Sequence, residues 1–575
     1  MTEEITAGLE EYFKNSKREF SFGIQNFQGI REYTKIPLAP LTLIYGQNSA
    51  GKSTIHDALN FIHGYFNGSW SDSAISAHLD RWANYNRFTS PLKRNYLGHF
   101  DDVVLSLNSL TGDQDYFRWE SSYHQNQDFV EESLAYQLFV NGLEQNIPFR
   151  IDIHFTNKLR PWHVRQFSLY LGEDIFLELI IDDFDQQEEV IDEYGLLRLN
   201  KQHPVYALLD SYFSGQQEQL KILKIKPDIQ NENWFEFIDI DVNFELGWNF
   251  VSTPKKLISW SEVDSSSSRP SAELLDFRTF ILALLQIPTK GIADTFNFNN
   301  IPPLRPIPSK NSAIFRRFSS SDNSLSDWAG LAEQVCLKLI YEAYPGSFDN
   351  NKMPFLQLEE INRILSHPFF LNTDYELTGE CNFLAPIGFL KEIYVSDEES
   401  REKLLKLDAE IHLKLIQKST GYLIDIEDVG VGVSQIIPVL VSITQFESWL
   451  TNSYRAFIQQ PELHLHPRLQ AQLADAFIAC VNRNLSEGDF PSFIVESHSE
   501  HFMLRLLRRI RETHKSDIKN KLTSLSVKDV SVIYVDKLED GSSKILPLRI
   551  SPDGEFIDRW PHGFFTERDG ELFDE

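Results

Sequence analysis

Eight consecutive residues, Gly46-Gln47-Asn48-Ser49-Ala50-Gly51-Lys52-Ser53, leave this chain little freedom in how it folds around them. They match the pattern G-x-x-x-x-G-K-[ST] at every fixed position. The flanks agree. Residues 41–45 (LTLIY) form a short apolar run of the buried-strand kind, and residues 54–61 open a helical pattern. Strand, glycine loop and helix in that order aim successive backbone N–H groups and a helix N-terminus at one point, which makes a cradle for a polyphosphate. In such a cradle Lys52 reaches the β- and γ-phosphates, Ser53 offers its hydroxyl oxygen to Mg²⁺, and Thr54 continues the loop into the helix. A glycine-rich strand-to-helix turn with a chance lysine is the plain alternative, and it does not account for the flanks.

The rest of the chain divides into three stretches. Residues 1–185 are β-rich around that one helix, with strand-like patterns at 20–24, 101–107, 136–140, 149–155 and 165–181. Residues 186–417 are interrupted by polar loops such as 264–268 (DSSSS), and helix-like segments fall at 271–285, 326–344, 356–365 and 398–417. Residues 418–575 alternate short β-type runs at 456–458, 492–495 and 530–535 with helices at 469–482 and 500–513, the pattern of a parallel sheet. The expected fold is therefore α/β. A nucleotide-binding fold, with a mixed sheet, flanking helices and an antiparallel β subdomain, is split by a mainly helical central insertion.

Charge narrows the partners. With 83 acidic against 54 basic residues the net charge is −29, which repels nucleic-acid backbones unless basic residues gather on one face. Two basic runs exist, 305–317 and 505–521, and each reads first as a solvated face or as a segment packed against acidic neighbours. Cys336, Cys381 and Cys480 lie far apart and match no metal-ligand spacing, which suits a reducing cytoplasm. No apolar run has the length of a membrane span, and the acidic N-terminus is unlike a signal peptide.

Further along, Asp428-Val429-Gly430-Val431-Gly432-Val433-Ser434-Gln435 leads into an apolar helical stretch at 436–444. Glycines and a serine at a helix start make a second anion-binding arrangement. On its own the segment reads as an N-capped helix after a flexible turn; in two facing copies of the chain, it can close over the partner's nucleotide. Then come Phe457-Ile458-Gln459-Gln460-Pro461-Glu462-Leu463-His464-Leu465-His466-Pro467 and Glu496-Ser497-His498-Ser499-Glu500-His501. His464 and His466, two residues apart with no further ligands nearby, read as loop or packing residues rather than a metal pair. His498 directly follows a strand, where parallel sheets collect ligand-binding residues.

In this order the motifs resemble the ATP-binding-cassette type heads of the SMC-like and OLD-like AAA-family ATPases. The resemblance extends to Ile24-Gln25-Asn26-Phe27, to Pro303-Leu304-Arg305 and to the tail Trp560-Pro561-His562-Gly563-Phe564-Phe565. That tail is similar to a bacterial subgroup found in phage-defence operons, among them the ATPase subunits of Septu systems. The resemblance implies ATP with Mg²⁺, a signature loop acting in trans through Gly430, Gly432, Ser434 and Gln435, and a switch histidine at His498. It also implies self-association, as a dimer or higher oligomer, through shared ATP.

The chain departs from this family where chemistry is expected. In that family the position after the Walker B strand normally gives Mg²⁺ a carboxylate, and the next supplies a glutamate that polarises the attacking water; here they are Gln459 and Gln460. An amide is a weaker ligand for a hard cation and is no general base. Glu462 and Glu496 are the nearest carboxylates, and a register with Glu462 in the acidic role leaves an ordinary ATPase. The catalytic candidates are thus Glu462, His498 and Gln460, with Ser53 and Gln459 at the metal. The first functional reading is an ATP-binding regulatory subunit of an antiphage complex, hydrolysing slowly or not at all and controlling a separately encoded nuclease of the HNH type. Nucleic acid would then be met through that partner. In support, the stretch after His498 is too short for the nuclease domain of OLD-like proteins. The second reading is a DNA-engaging repair ATPase with normal hydrolysis.

Overall fold

The computed structural model describes residues 2–47, 49–66, 103–110, 147–156, 163–182, 194–207, 225–227, 234–240, 295–309, 314–316, 327–343, 355–385, 403–445, 455–484, 491–517 and 520–561, with isolated positions near 74–79 and 284–293. These fall into two compact units, each assembled from separate stretches of chain.

The first unit gathers residues 1–38, 46–298 and 534–547. It begins with helix α1 (Thr2–Asn15), followed by strands β1 (Phe20–Gln25) and β2 (Thr34–Leu38). Strand β3 (Leu41–Gly46) comes next in the chain and leads into α2 (Lys52–Phe66). The unit continues with β4 (Val103–Leu110), β5 (Pro148–Thr156), β6 (His163–Leu171), β7 (Asp174–Asp182), β8 (Tyr194–Asn200), β9 (Ile225–Pro227) and β10 (Trp234–Ile240). Nine of these strands form one antiparallel sheet in the order β2-β1-β4-β5-β6-β7-β8-β10-β9.

Alternation sets the register of this sheet. In β5, Phe149, Ile151, Ile153 and Phe155 are buried while Arg150, Asp152 and His154 face the other way. The long strand-like stretch at 165–181 is two strands, because Gly172 (φ +70°) turns the chain between β6 and β7. Helix α2 lays its apolar face on β5. Phe61 and Tyr65 meet the Phe155 ring edge-on at centroid distances of 6.0 and 5.5 Å. The strand expected at 136–140 lies outside the described residues.

The second unit gathers residues 39–45, 299–533 and 548–575. Its strands are β11 (Asn299–Ile301), β12 (Ile314–Arg316), β13 (Tyr375–Phe383), β14 (Ala409–Gln417), β15 (Leu423–Asp425), β16 (Ala456–Gln459) and β17 (Phe493–Glu496). Strands β11, β16, β17 and β3 are parallel neighbours in that order, with Gln459, Glu496 and Ile44 in register at their C-terminal ends. Leu41 to Tyr45 are fully buried on both faces, which explains a run that is apolar but for Thr42, whose hydroxyl donates to Ala39 O. Among the described residues two strands follow His498, β18 (Val530–Lys537) and β19 (Ser543–Leu548), where the sequence suggests one.

The helices of this unit are α3 (Asp327–Ala343), α4 (Leu356–Ser366), α5 (Val431–Ile443), α6 (Pro467–Asn484) and α7 (Glu500–His514). Asn362 on α4 pins the antiparallel β12-β14-β13 sheet: its amide accepts from the N–H of Leu377 at 2.6 Å and donates to the same residue's carbonyl at 2.9 Å. Helices α6 and α7 are held by Asp475, fully buried, between Arg505 and Arg509.

One expected helix is corrected. Residues 409–417 are not the end of a helix at 398–417 but strand β14, paired along its full length with β13. Ala409, Ile411, Leu413 and Leu415 are buried at every second position, so period two wins over a helical reading. Residues 403–405 alone in that window are helical among those described. The described residues of the 186–417 stretch thus supply strands β8 to β14 as well as helices α3 and α4, and the helix expected at 271–285 lies almost wholly outside the described residues.

Candidate nucleotide site

The phosphate loop is built as its sequence requires. Gly46 has φ +149° and Gly51 φ +103°, conformations that a side chain would strain. Space agrees with dihedral: a Cβ on Gly46 would stand 2.2 Å from the Val535 carbonyl oxygen, and one on Gly51 2.4 Å from Ser543 Oγ. Ser543 reinforces the loop from outside, its hydroxyl donating to Ala50 O at 2.7 Å and its N–H to Gly29 O at 2.9 Å.

Lys52 is 6% exposed, and its Nζ donates to the carbonyls of Gly46 (3.1 Å) and Gln47 (2.9 Å). The ammonium is therefore held over the loop that should receive phosphate. Gln47, Ser49 and Ser53 are exposed, and Ala50 is buried; Asn48 lies outside the described residues. The Thr54 hydroxyl donates to Gln28 Oε1 at 2.8 Å, and Gln28 in turn donates to Asp57 at 2.7 Å. That chain fixes the first turn of α2 and occupies the Thr54 side chain.

In the second unit, β16 ends at Gln459, and Gln460 follows with φ +46°. Glu462, two residues on, is 7% exposed, and its Oε1 accepts from the backbone N–H of His498 at 2.7 Å. Burial raises its carboxyl above the ordinary 4.5, outweighing the His498 N–H, the Ser497 hydroxyl and the Arg305 charge that favour the carboxylate. His498 is half-buried.

The backbone beyond His498 is anchored at several points. Ser499 caps α7 by accepting from Phe502 N–H at 3.0 Å and donates its hydroxyl to Gln470 at 2.6 Å. The Tyr45 hydroxyl donates to Ser499 O at 3.0 Å, and the Tyr45 ring packs edge-on against Trp560. The tail tryptophan therefore buttresses the residue that precedes Gly46. His562, Gly563, Phe564 and Phe565 lie outside the described residues.

The glycine-led segment corrects one expectation. Helix α5 starts at Val431 with Gly430 as its N-cap, so Ser434 lies inside the first turn and is buried. Its hydroxyl donates back to Val431 O at 3.1 Å. Gly432 sits where a Cβ would come to 3.0 Å from His464 O, so the start of α5 runs close to the turn after β16. Gln435 is joined to Gln459 and Gln460 by Arg305, a residue the motifs left without a role. His464 and His466 are exposed, and His466 Nδ1 accepts from Arg468 N–H at the start of α6. Among the described residues no group of three or more His, Cys, Asp or Glu side chains is placed to hold a metal ion.

A parallel sheet, a glycine loop after one of its strands and a helix opening on Lys-Ser together define a phosphate-loop nucleotide-binding protein. The family model for the AAA ATPase domain matches residues 21–246 and 371–503, more than half of the chain. The chain belongs to this AAA ATPase family. A second model, described as a protein of unknown function (DUF3696), matches residues 525–574. No curated protein matches the chain.

Similar solved structures include an SMC head bound to the C-terminal winged-helix domain of ScpA, at 11% identity and TM-score 0.34, covering 93% of this chain and 98% of that one. An SMC head domain from Thermotoga maritima gives 8% identity and TM-score 0.31, over 93% and 100% of the two chains. One with an extended coiled coil, derived from Pyrococcus furiosus, gives 12% and 0.32, over 92% and 96%. Scores this low leave the family assignment resting on the family model. Among the described residues no helix is long and apolar enough to cross a membrane.

Proposed function

We propose that this protein is an ATP-binding regulatory subunit that pairs with a second copy through ATP and hydrolyses that ATP slowly or not at all. The observation that carries the reading is the pair of amides closing β16, Gln459 and Gln460, in a chain whose phosphate loop is complete. Lys52 and the loop N–H groups bind the phosphates, and Ser53 gives its hydroxyl oxygen to Mg²⁺. The strained Gly46 and Gly51, where a Cβ would collide, suit the close backbone approach that phosphate requires.

Neutral amides neither bind a hard cation as carboxylates do nor accept a proton from water. Glu462 is the nearest carboxyl in sequence, but burial favours its protonated form and its Oε1 is engaged by His498 N–H. Gly430 and Gly432 at the start of α5 are the groups offered to a partner copy's γ-phosphate, while the Gln435 amide is turned to the Arg305 main chain of its own copy. His498 is the residue that reports on the phosphate to α7, whose N-cap follows it directly.

On this reading ATP holds two copies together, and the pair restrains or positions an effector. The motif order and the Trp560-Pro561 tail resemble phage-defence ATPases of the Septu kind, and the effector class proposed is a separately encoded nuclease of the HNH type. A net charge of −29 suits a protein partner better than a bare nucleic-acid track. The basic run on α7 supports the same choice: Arg505 and Arg509 are paired with Asp475, Arg508 with Glu512, and Arg511 donates to Asp553 O.

Phosphate release and co-purification test the proposal. Turnover should stay below about 1 s⁻¹, the low end of the usual enzyme range, and expression with neighbouring genes should yield a nuclease bound to this subunit. Faster turnover that Lys52→Ala abolishes, in a protein that purifies alone and is stimulated by DNA, contradicts it.

A further inference from the structure

Arg305 is 5% exposed, in a chain segment that leaves β11 through Pro302 and Pro303. Its Nη2 donates to two backbone carbonyls at once, Gln459 O at 2.7 Å and Gln460 O at 2.8 Å. The left-handed backbone of Gln460 accompanies that convergence. Toward α5 the contacts are longer but threefold. Nη1 lies 3.4 Å from Gln435 O, Arg305 N–H donates to Gln435 Oε1 at 3.4 Å, and Gln435 Nε2 donates to Arg305 O at 3.4 Å. The Gln435 amide thus pairs with the Arg305 main chain as donor and acceptor together, which an ionised glutamate, an acceptor only, cannot do.

The geometry points to Arg305 as a positioning residue that fixes the first turns of α5 against the Gln459–Gln460 turn, and so sets whether one copy presents its glycine-led loop correctly to a second. This rests on the proposed pairing through ATP and adds the part of the chain that makes each copy competent for it. The guanidinium is suited to the task because its planar fork serves several acceptors in fixed directions, whereas an ammonium is a single point of charge. Burial lowers the Arg305 pKa to about 10, with the Glu462 charge opposing, so the cation persists at neutral pH.

The experiment uses the full chain and three variants, Arg305→Met, Arg305→Lys and Gln435→Glu. Affinity for a fluorescent ATP analogue is measured at protein concentrations too low for pairing, and ATP-dependent pairing is measured by sedimentation. Both Arg305 variants should still bind the analogue, because Lys52 and the loop N–H groups that hold the phosphates are unchanged, yet pair about tenfold more weakly or worse. Arg305→Lys should not rescue, and Gln435→Glu, which sets a second acceptor against Arg305 O, should reproduce the pairing defect.

Wild-type pairing by Gln435→Glu, or by Arg305→Met, overturns the inference. So does loss of analogue binding together with pairing in Arg305→Lys, which would make Arg305 a residue of the fold alone. Should Arg305→Met fail to fold, Gln435→Glu decides. A wild-type protein that binds no ATP, or binds it without pairing, overturns the underlying reading as well, and shows it before any variant is made.

Discussion

Lys52 is buried among carbonyls of its own loop, which keeps a charged group close to the place where triphosphate charge would arrive. Lys52→Ala is expected to weaken ATP binding roughly 10- to 150-fold, the worth of one charge-assisted hydrogen bond; calorimetric titration measures it. Glu462 gives a prediction with a sign. A carboxyl whose folded pKa is raised contributes stability below its unfolded value, and this is lost as pH rises through the folded value. Glu462→Gln stays neutral, so its stability relative to wild type should improve between about pH 4 and about pH 8. Chemical denaturation at both pH values checks this, and a gap moving the other way contradicts it. Lys52 and Ser53 were legible because their chemistry sits in one contiguous pattern. Arg305 was not, because its partners lie more than a hundred residues away in sequence and are mostly backbone atoms, which carry no residue signature.

At the scale of elements, the phosphate loop depends on two glycines for room. Gly46→Ala is expected to cost about 1–3 kcal/mol through overpacking against Val535 O, read as a lower denaturation midpoint. The α6–α7 pair depends on Asp475, and Asp475→Ala leaves Arg505 without that anion and Arg509 with Glu512 alone. A loss of about 3–5 kcal/mol is expected for that buried network. Most elements followed from periodicity: α2, α6 and α7 and the short parallel strands lie within a few residues of where the sequence puts them. Strand β14 was missed because Leu404 and Leu407 before it, together with Ile411 and Leu415 within it, also fit helical spacing. What decided it was pairing with β13, a contact made by residues some 30 positions away. The start of α5 was misplaced for a related reason: Gly430, with no side chain, takes the N-cap position that Ser434 seemed to announce.

For the molecule as a whole, the strong negative charge, the intact phosphate loop and the amides at the end of β16 support the proposed account, in which ATP is held and shared rather than spent. Gln460→Glu should then raise turnover, because it restores a carboxylate where the family places one, and a phosphate-release assay compares it with wild type. The most direct test is the identity of the bound nucleotide over time. Purified protein is loaded with labelled ATP and Mg²⁺, freed of excess, and denatured at intervals so that the released nucleotide can be identified. The account predicts that it remains ATP over many minutes and that Lys52→Ala retains none. Conversion to ADP within seconds in the wild-type protein would contradict it.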